Sequence, residues 1–303
     1  MIKDRLLLML KGVAMGAANV VPGVSGGTIA LITGVFERII NSIKSVDLDA
    51  LKLLFKGKFK EFADHVDFFF LLFLFSGVGI GILGFARVLK FFFEYYPIPV
   101  WAFFLGLVVA SVWFVAKKIE KWNLGSILPL IIGTIIALSI NLLTPASENS
   151  HILYLMLCGS IGVSSMILPG LSGSFVLILM GNYNLVMIEA TSNLDISILL
   201  PVFLGAVIGI ILFSRFLSWV LGKYPNSTLS TLAGFILGST IILWPWKNEV
   251  TEMFGLKEKV VGYQWFFPEI NAEFYWSIFY FILGFIIIFA VEYLGNLKLK
   301  KEQ

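Results

Sequence analysis

Six long runs of apolar residues punctuate the chain, at about 67–93, 98–116, 124–143, 197–221, 228–245 and 274–294. Each is close to the roughly 20 residues that cross a hydrocarbon core as an α-helix, and the pattern predicts six spans. Two further regions, 5–40 and 151–189, are equally apolar but broken in the middle, at Pro22-Gly23 and Pro169-Gly170. Proline removes a backbone donor and glycine loosens the chain, so each region is predicted to be a helix–break–helix hairpin. The hairpin either re-enters the face it left or crosses twice; the number of crossings is even in both cases.

The two halves match each other. PGVSGGTIALITGVF at 22–36 aligns with PGLSGSFVLILMGNY at 169–183, with Gly34 and Gly181 in register. Further along, Gly77, Gly81, Arg87, Tyr96-Pro97, Gly106 and Ser111 fall without a gap on Gly205, Gly209, Arg215, Tyr224-Pro225, Gly234 and Ser239. An arginine, a Tyr-Pro and several glycines in one order point to an internal duplication. Each copy is one broken, re-entrant hairpin followed by three spans. Three is odd, so the second copy is expected to sit upside down relative to the first, the inverted-repeat arrangement of many secondary transporters. The expected fold is therefore an all-α polytopic membrane protein with two inverted-topology repeats forming a single transport unit. Residues 1–145 hold the first repeat, with its hairpin at 5–40, an amphipathic segment at 41–66 and spans within 67–143. Residues 146–303 hold the second, with its hairpin at 151–189 and spans within 197–294.

Composition agrees with lipid as the solvent. Of 303 residues 58% are hydrophobic and only 14% charged, with a mean hydropathy of +0.93, far from an ordinary soluble domain. A net charge of +3 does not suggest a nucleic-acid surface; the cations report topology instead. The N-terminus, segment 38–66, loop 117–121, Lys223 and the C-terminus fall on one side of the predicted arrangement and carry most of the 22 Lys and Arg. The other side has Lys90, Lys247, Lys257 and Lys259. By the positive-inside rule both termini are expected in the cytoplasm, which places the chain in the cytoplasmic membrane. Lys3 and Arg5 before LLLML resemble a secretory signal, but Lys11 interrupts the run and the segment is read as part of the fold. Segment 41–66, with five lysines among acids and phenylalanines, reads as an amphipathic surface helix. Cys158, His65 and His151 are too few ligands for a metal cluster, and no cofactor is expected.

The chemistry concentrates at the breaks. A helix restarting at Ser25-Gly26-Gly27-Thr28 begins with amides that lack intrahelical partners. Those amides, the positive dipole end and the hydroxyls of Ser25 and Thr28 describe an anion site, repeated by Ser172, Gly173 and Ser174. The competing reading is plain helix capping and close packing; two such tips at the midplane favour a substrate site. Arg87 and Arg215 occupy equivalent places in their spans, where an arginine is costly unless partnered. They either snorkel to headgroups or bind an anion such as a phosphate. Glu37 and Arg38 form a local ion pair or act in gating or ion coupling. Asn19, Asn182 and Tyr183 supply hydrogen bonds to a substrate or between helices.

MGAANVVPGVSGGTIALITGVFERII at 15–40, together with ILPGLSGSFVLILMGNY at 167–183, closely resembles the bacterial and archaeal polyprenyl-phosphate transporters (PopT), long catalogued as a membrane domain of unknown function. The likeness runs over essentially the whole chain. It implies flipping of undecaprenyl phosphate from the outer to the cytoplasmic leaflet for reuse in cell-wall and surface-polymer synthesis, with the lipid as partner and a proton or sodium ion as a coupling candidate. Two rivals stand beside it. One is a carrier of a small soluble anion. The other is an integral-membrane undecaprenyl-diphosphate phosphatase, which is disfavoured because Gly26 and Gly173 stand where that motif has an arginine and a glutamate-rich stretch is missing.

Overall fold

The computed structural model describes residues 2–20, 25–140, 143, 146–254 and 257–299. Pro22 and Gly23 lie outside the described residues, as does the side chain of Arg87. The first half comprises α1 (Ile2–Val20), α2 (Gly26–Ile32), three short helices α3 (Phe36–Lys44), α4 (Leu48–Phe55) and α5 (Phe59–His65), then α6 (Phe68–Tyr95), α7 (Pro97–Lys117) and α8 (Leu124–Ile140). The second half comprises α9 (Ile152–Ile167), α10 (Gly173–Leu179), a π-turn at Leu185–Ala190, α11 (Thr191–Asn193), α12 (Ile196–Lys223) and α13 (Pro225–Ser239), which tightens to a 3₁₀ turn at Thr240–Leu243. A hairpin, β1 (Lys247–Phe254) and β2 (Lys257–Trp265), and α14 (Ala272–Leu299) complete it.

Five helices among the described residues are long and apolar enough to cross a membrane: α6, α7, α12, α13 with its 3₁₀ extension, and α14. The sixth expected span, 124–143, yields a 17-residue helix with Pro129 inside it. Segment 41–66 is not one surface helix. Asp47 starts α4 by accepting the amides of Asp49 and Ala50, and Gly57, at φ +70°, separates α4 from α5, so the amphipathic stretch is three short helices.

Elements recur at fixed offsets. Phe68 to Tyr95 and Ile196 to Lys223 are both 28 residues, displaced by 128 at each end. Both are followed by a single tyrosine and a helix that opens on proline, Pro97 or Pro225, whose missing amide costs nothing at a first helical turn. The helices α2 and α10 each have seven residues and follow a serine. Gly34 and Gly181, after them, share φ +73°.

Four helix pairs make up the bundle: α1 with α6, α9 with α12, α7 with α14 and α8 with α13. All four are closed the same way. A Cβ on Gly12 would meet the Leu74 carbonyl and one on Gly77 the Met9 carbonyl; Gly159 and Gly205 face Val202 and Met156 likewise. Gly106 and Gly284 sit on the carbonyls of Phe281 and Phe103, Gly133 and Gly234 on those of Thr231 and Leu130. Where lipid removes any hydrophobic drive between helices, such backbone contact supplies the packing. The first two pairs form within a half. The last two join the halves, because α7 finds its partner in the second and α8 in the second as well.

The helix α3 ties opposite ends of equivalent helices together. Arg38 holds Asp67, just before α6, at 2.6 Å, while Lys44 donates to Ser218 at 3.2 Å and Ser218 to Asn41 at 3.1 Å near the end of α12. The start of α6 and the end of α12 therefore lie on the same helix, α3.

The β-hairpin departs from the all-helical expectation. Its strands pair from Lys247 opposite Trp265, with an irregularity between Val250 and Thr251, and reciprocal indole bonds pin it: Trp244 Nε1 donates to the Phe266 carbonyl and Trp265 Nε1 to that of Ile241, each at 3.1 Å. The Lys247 ammonium lies 3.4 Å from the centroid of the Trp101 ring on α7 and 4.5 Å from that of Tyr263. Burial pushes its pKa down to about 7, against the pull of Glu249, and burial raises the Tyr263 phenol.

Two predictions follow from these contacts. Gly106→Leu should lower the melting temperature in detergent, because overpacking costs about 1–3 kcal/mol, whereas Gly84→Leu, with open space around it, should melt like the parent; equal melting of the two would refute the sealed α7–α14 contact. For Lys247, the docked pKa of about 7 lies below the ordinary 10.5, so undocking takes up a proton and docking strengthens as pH rises from about 7 to 10.5, levelling off below 7. Hydrogen-exchange protection factors of the hairpin should follow that slope and lose it in Lys247→Met.

Candidate functional site

The first break closes on itself. Ser25 is the N-cap of α2, its hydroxyl accepting the Gly27 amide at 3.1 Å. The Gly26 amide donates to Asn19 Oδ1 at 2.7 Å, and the Thr28 amide to the Ser25 carbonyl at 2.9 Å. The amides expected to point at a ligand thus have protein partners in this conformation. Ser25 and Thr28 are buried. A side chain at Gly26 would strike the Asn19 carboxamide, and one at Gly27 the Ile167 carbonyl.

That last contact brings the two breaks together. The Ser25 hydroxyl reaches the Leu168 carbonyl at 3.4 Å, and Gly27 also lies beside the Pro169 nitrogen. Pro169 is fully buried. Gly170, at φ +81°, is wedged on the Phe235 carbonyl and Ser239 of α13, where no side chain fits. The second break stays open: Ser172 makes no capping bond, and its hydroxyl lies 3.0 Å from that of Ser174, both residues exposed. Gly173 packs on the Gly162 carbonyl.

Each hairpin folds back along its own first helix. In the first, Gly26 meets Asn19 and the Thr33 carbonyl meets Lys11 Nζ at 2.7 Å, so α2 runs antiparallel to α1. In the second, Gly173 meets Gly162 and Met166, and the Met180 carbonyl accepts the Tyr154 hydroxyl at 2.8 Å.

Other expected residues are placed differently. Arg38 pairs with Asp67 through two bonds, 2.6 and 3.1 Å, and lies 4.2 Å from the centroid of the Phe70 ring; the local Glu37–Arg38 pair is replaced by this longer-range one, and Glu37 is exposed. Asn182, wholly buried, clamps the Asn149 backbone by donating to its carbonyl and accepting its amide, which fixes the loop before α9. Tyr183 is buried in a cluster with Cys158, Leu177 and Ile178. Arg215 is exposed on α12, and no hydrogen bond or ion pair among the described residues joins it to either break. Arg87 lies on α6, its side chain outside the described residues.

Beside the first hairpin is a cavity of about 810 Å³ that the sequence had not suggested. It lies between α1, α2, α6, α7 and α14, from Ala14, Ala17 and Ala18 across to Phe85, Val88, Phe92, Leu283 and Ile287, and its side-chain polar groups are the hydroxyls of Thr33, Tyr96 and Tyr280. Ile29, one helical turn from Ser25, lines it. The helices α6 and α14 flank the space and pack closely on other partners, α6 on α1 and α14 on α7. Its signal in the sequence is the small-residue face of α1, legible only once its partner helices are known.

A family model described as VCA0040-like, undecaprenyl phosphate translocase-like, matches residues 15–261. A polyprenyl-phosphate transporter of Vibrio cholerae is 40% identical over 242 residues, 80% of this chain and 78% of the relative. Another of that name, from Staphylococcus aureus, is 28% identical over an alignment covering 97% of both. No solved structure matches the chain.

Proposed function

The chain belongs to the undecaprenyl phosphate translocase-like family, and on that premise we propose that it carries a polyprenyl phosphate, undecaprenyl phosphate by family, across the cytoplasmic membrane. Movement runs from the outer to the cytoplasmic leaflet, returning the carrier lipid for cell-wall and surface-polymer synthesis, and the protein acts as a transporter rather than an enzyme. Both termini face the cytoplasm. The two series of helices are inverted repeats and the broken segments re-entrant hairpins; the start of α6 and the end of α12 both lying against α3, and the fold-back of α2 along α1, support this.

The headgroup passes the meeting point of the two breaks, by Ser25, Gly26, Gly27 and Thr28 on one side and Ser172, Gly173 and Ser174 on the other, with Arg87 and Arg215 drawing the phosphate toward it. Substrate entry has to exchange the internal bonds of the first break, Gly26 to Asn19 and Gly27 to Ser25, for bonds to phosphate oxygens. The exposed hydroxyls of Ser172 and Ser174 are open to make theirs first.

One observation carries the choice of a lipid over a soluble anion: the large apolar cavity one turn from Ser25, walled by α6 and α14, which pack on other partners. A small anion has no use for such a wall, whereas an isoprenoid chain can lie against it without leaving apolar surroundings. Reconstitution in vesicles with a fluorescent short-chain polyprenyl phosphate tests this. Protein-dependent movement between leaflets is expected, slowed about tenfold or more by Val88→Trp, which fills the cavity at a cost of about 1–3 kcal/mol to an occupant. Transport of inorganic phosphate with no movement of the lipid would overturn the reading.

A further inference from the structure

A broken hairpin fills only part of a membrane's thickness, and the depth that this one fills can be read from the glycine seams. Gly77 and Gly81 of α6 rest on the carbonyls of Met9 and Val13, while Gly12 and Gly16 rest on those of Leu74 and Val78, so α1 and α6 advance together in the same direction. In that register Val20, the last residue of α1, comes level with the turn of α6 around Phe85. From there α6 continues to Tyr95, a rise of about 15 Å at ~1.5 Å per residue, or half of the roughly 30 Å hydrocarbon core. The helix α2 turns back along α1 toward its start.

The cavity occupies the depth that the hairpin leaves. Its wall on α6 starts at Phe85 and runs through Val88 and Phe92 to Tyr96, just past the helix, at and beyond the level where α1 stops. Its wall on α7 starts at Pro99, in the first turn, and ends at Leu107, the helix midpoint. The helix α14 runs beside α7 in the same direction, with Phe281 on Gly106 and Phe289 on Phe114. Ala18 and Ile29, both buried, form the floor, whereas Val88, Phe92 and Tyr96 on one side and Leu283 and Ile287 on the other are exposed. Exposed residues that line a cavity mark its mouth, and this mouth opens sideways between α6 and α14, toward lipid.

Because α6 begins beside α3, where Arg38 holds Asp67, the cavity lies in the half of the bundle away from α3. With the termini in the cytoplasm, that is the outer half. We infer that the cavity is the berth of a polyprenyl monophosphate still in the outer leaflet, entered sideways between α6 and α14, with the phosphate at the rim by the Tyr96 hydroxyl and the first isoprene units running down to Ala18 and Ile29. This rests on the substrate and orientation readings above and deepens them. Crossing then lowers the phosphate to the break at the floor while the chain leaves by the open side. The apolar wall is not repeated: at the offset of 128, Pro99, Val100 and Phe103 correspond to Ser227, Thr228 and Thr231 of α13, and on the inverted-repeat reading that place lies in the cytoplasmic half. An isoprenoid chain thus has an apolar berth before crossing and meets hydroxyl-bearing residues at the equivalent place after it.

Photochemical coupling tests both the berth and the posture. Phe85→p-benzoylphenylalanine and Phe92→p-benzoylphenylalanine place a photoreactive ketone in the cavity, and Phe75→p-benzoylphenylalanine places one on α6 nearer α3; all three side chains are exposed, so the changes leave the core intact. In vesicles of phosphatidylglycerol containing a short-chain polyprenyl phosphate, illumination should couple that lipid about tenfold more at 85 and at 92 than at 75. Fragmentation of the adducts in a mass spectrometer should place the new bond nearer the phosphate for position 92 and nearer the free end of the chain for position 85. The opposite order would overturn the outer-leaflet posture and leave the substrate reading standing. Coupling no greater than at 75, or equal capture of phosphatidylglycerol, would overturn the berth. Failure of the parent protein to move the polyprenyl phosphate between leaflets would overturn the substrate reading and this inference with it.

Discussion

Inside a bilayer a helix has already satisfied its own backbone, so two helices gain from meeting only what their surfaces gain in contact. Here that contact is backbone on backbone. Each of the four pairs presents glycine from one helix to a carbonyl of the other and receives the same in return, bringing Cα–H groups within reach of carbonyl oxygens. Everything else hangs from those four seams. They decide which helices are neighbours, and therefore where a gap is left. The gap between α6 and α14 exists because each is committed on its glycine face to a different partner, α6 to α1 and α14 to α7.

Side chains then fill in what the seams leave. The helix α3 fastens the beginning of α6 and the end of α12 with Arg38, Lys44 and Asn41. The breaks are held against each other by Ser25, Gly27, Leu168 and Pro169. The asymmetry between the breaks is as informative as their likeness: Asn19 satisfies an amide at the first, while the second leaves its serine hydroxyls exposed. Two near-copies of one motif thus differ in which polar groups they leave unsatisfied while keeping a common frame.

Much of this was legible in the residues. The apolar runs located the long helices to within a few positions, and Tyr96-Pro97 and Tyr224-Pro225 marked two junctions, because proline at a first turn is a local signal that tertiary structure seldom overrides. The serines after the breaks stand where capping demands them. What stayed hidden depends on which faces meet. Glycines at 106 and 284 are visible in any listing of the chain, but nothing local says that they face each other rather than the glycines of their own halves. Arg38 has an adjacent acid, Glu37, yet pairs with Asp67 because successive residues on a helix point apart. The β-hairpin escaped a search tuned to long apolar runs, since its strands mix charged residues with valines and aromatics and hold no long apolar run.

The pairing of α7 with α14 and of α8 with α13 crosses the boundary between the halves. Neither half is then a mechanical body. The units that keep their shape are the helix pairs, two of which are stitched from both ends of the chain, so a rocking motion of one repeat against the other would tear two seams. Displacement has to occur between pairs, and along the backbone the first and second pairs are joined to the crossing ones by single residues, Tyr96 and Tyr224, both exposed and in the same backbone region at φ −140° and −132°. Those two tyrosines are thus the points where the chain passes from a pair closed within one half to a pair closed between halves.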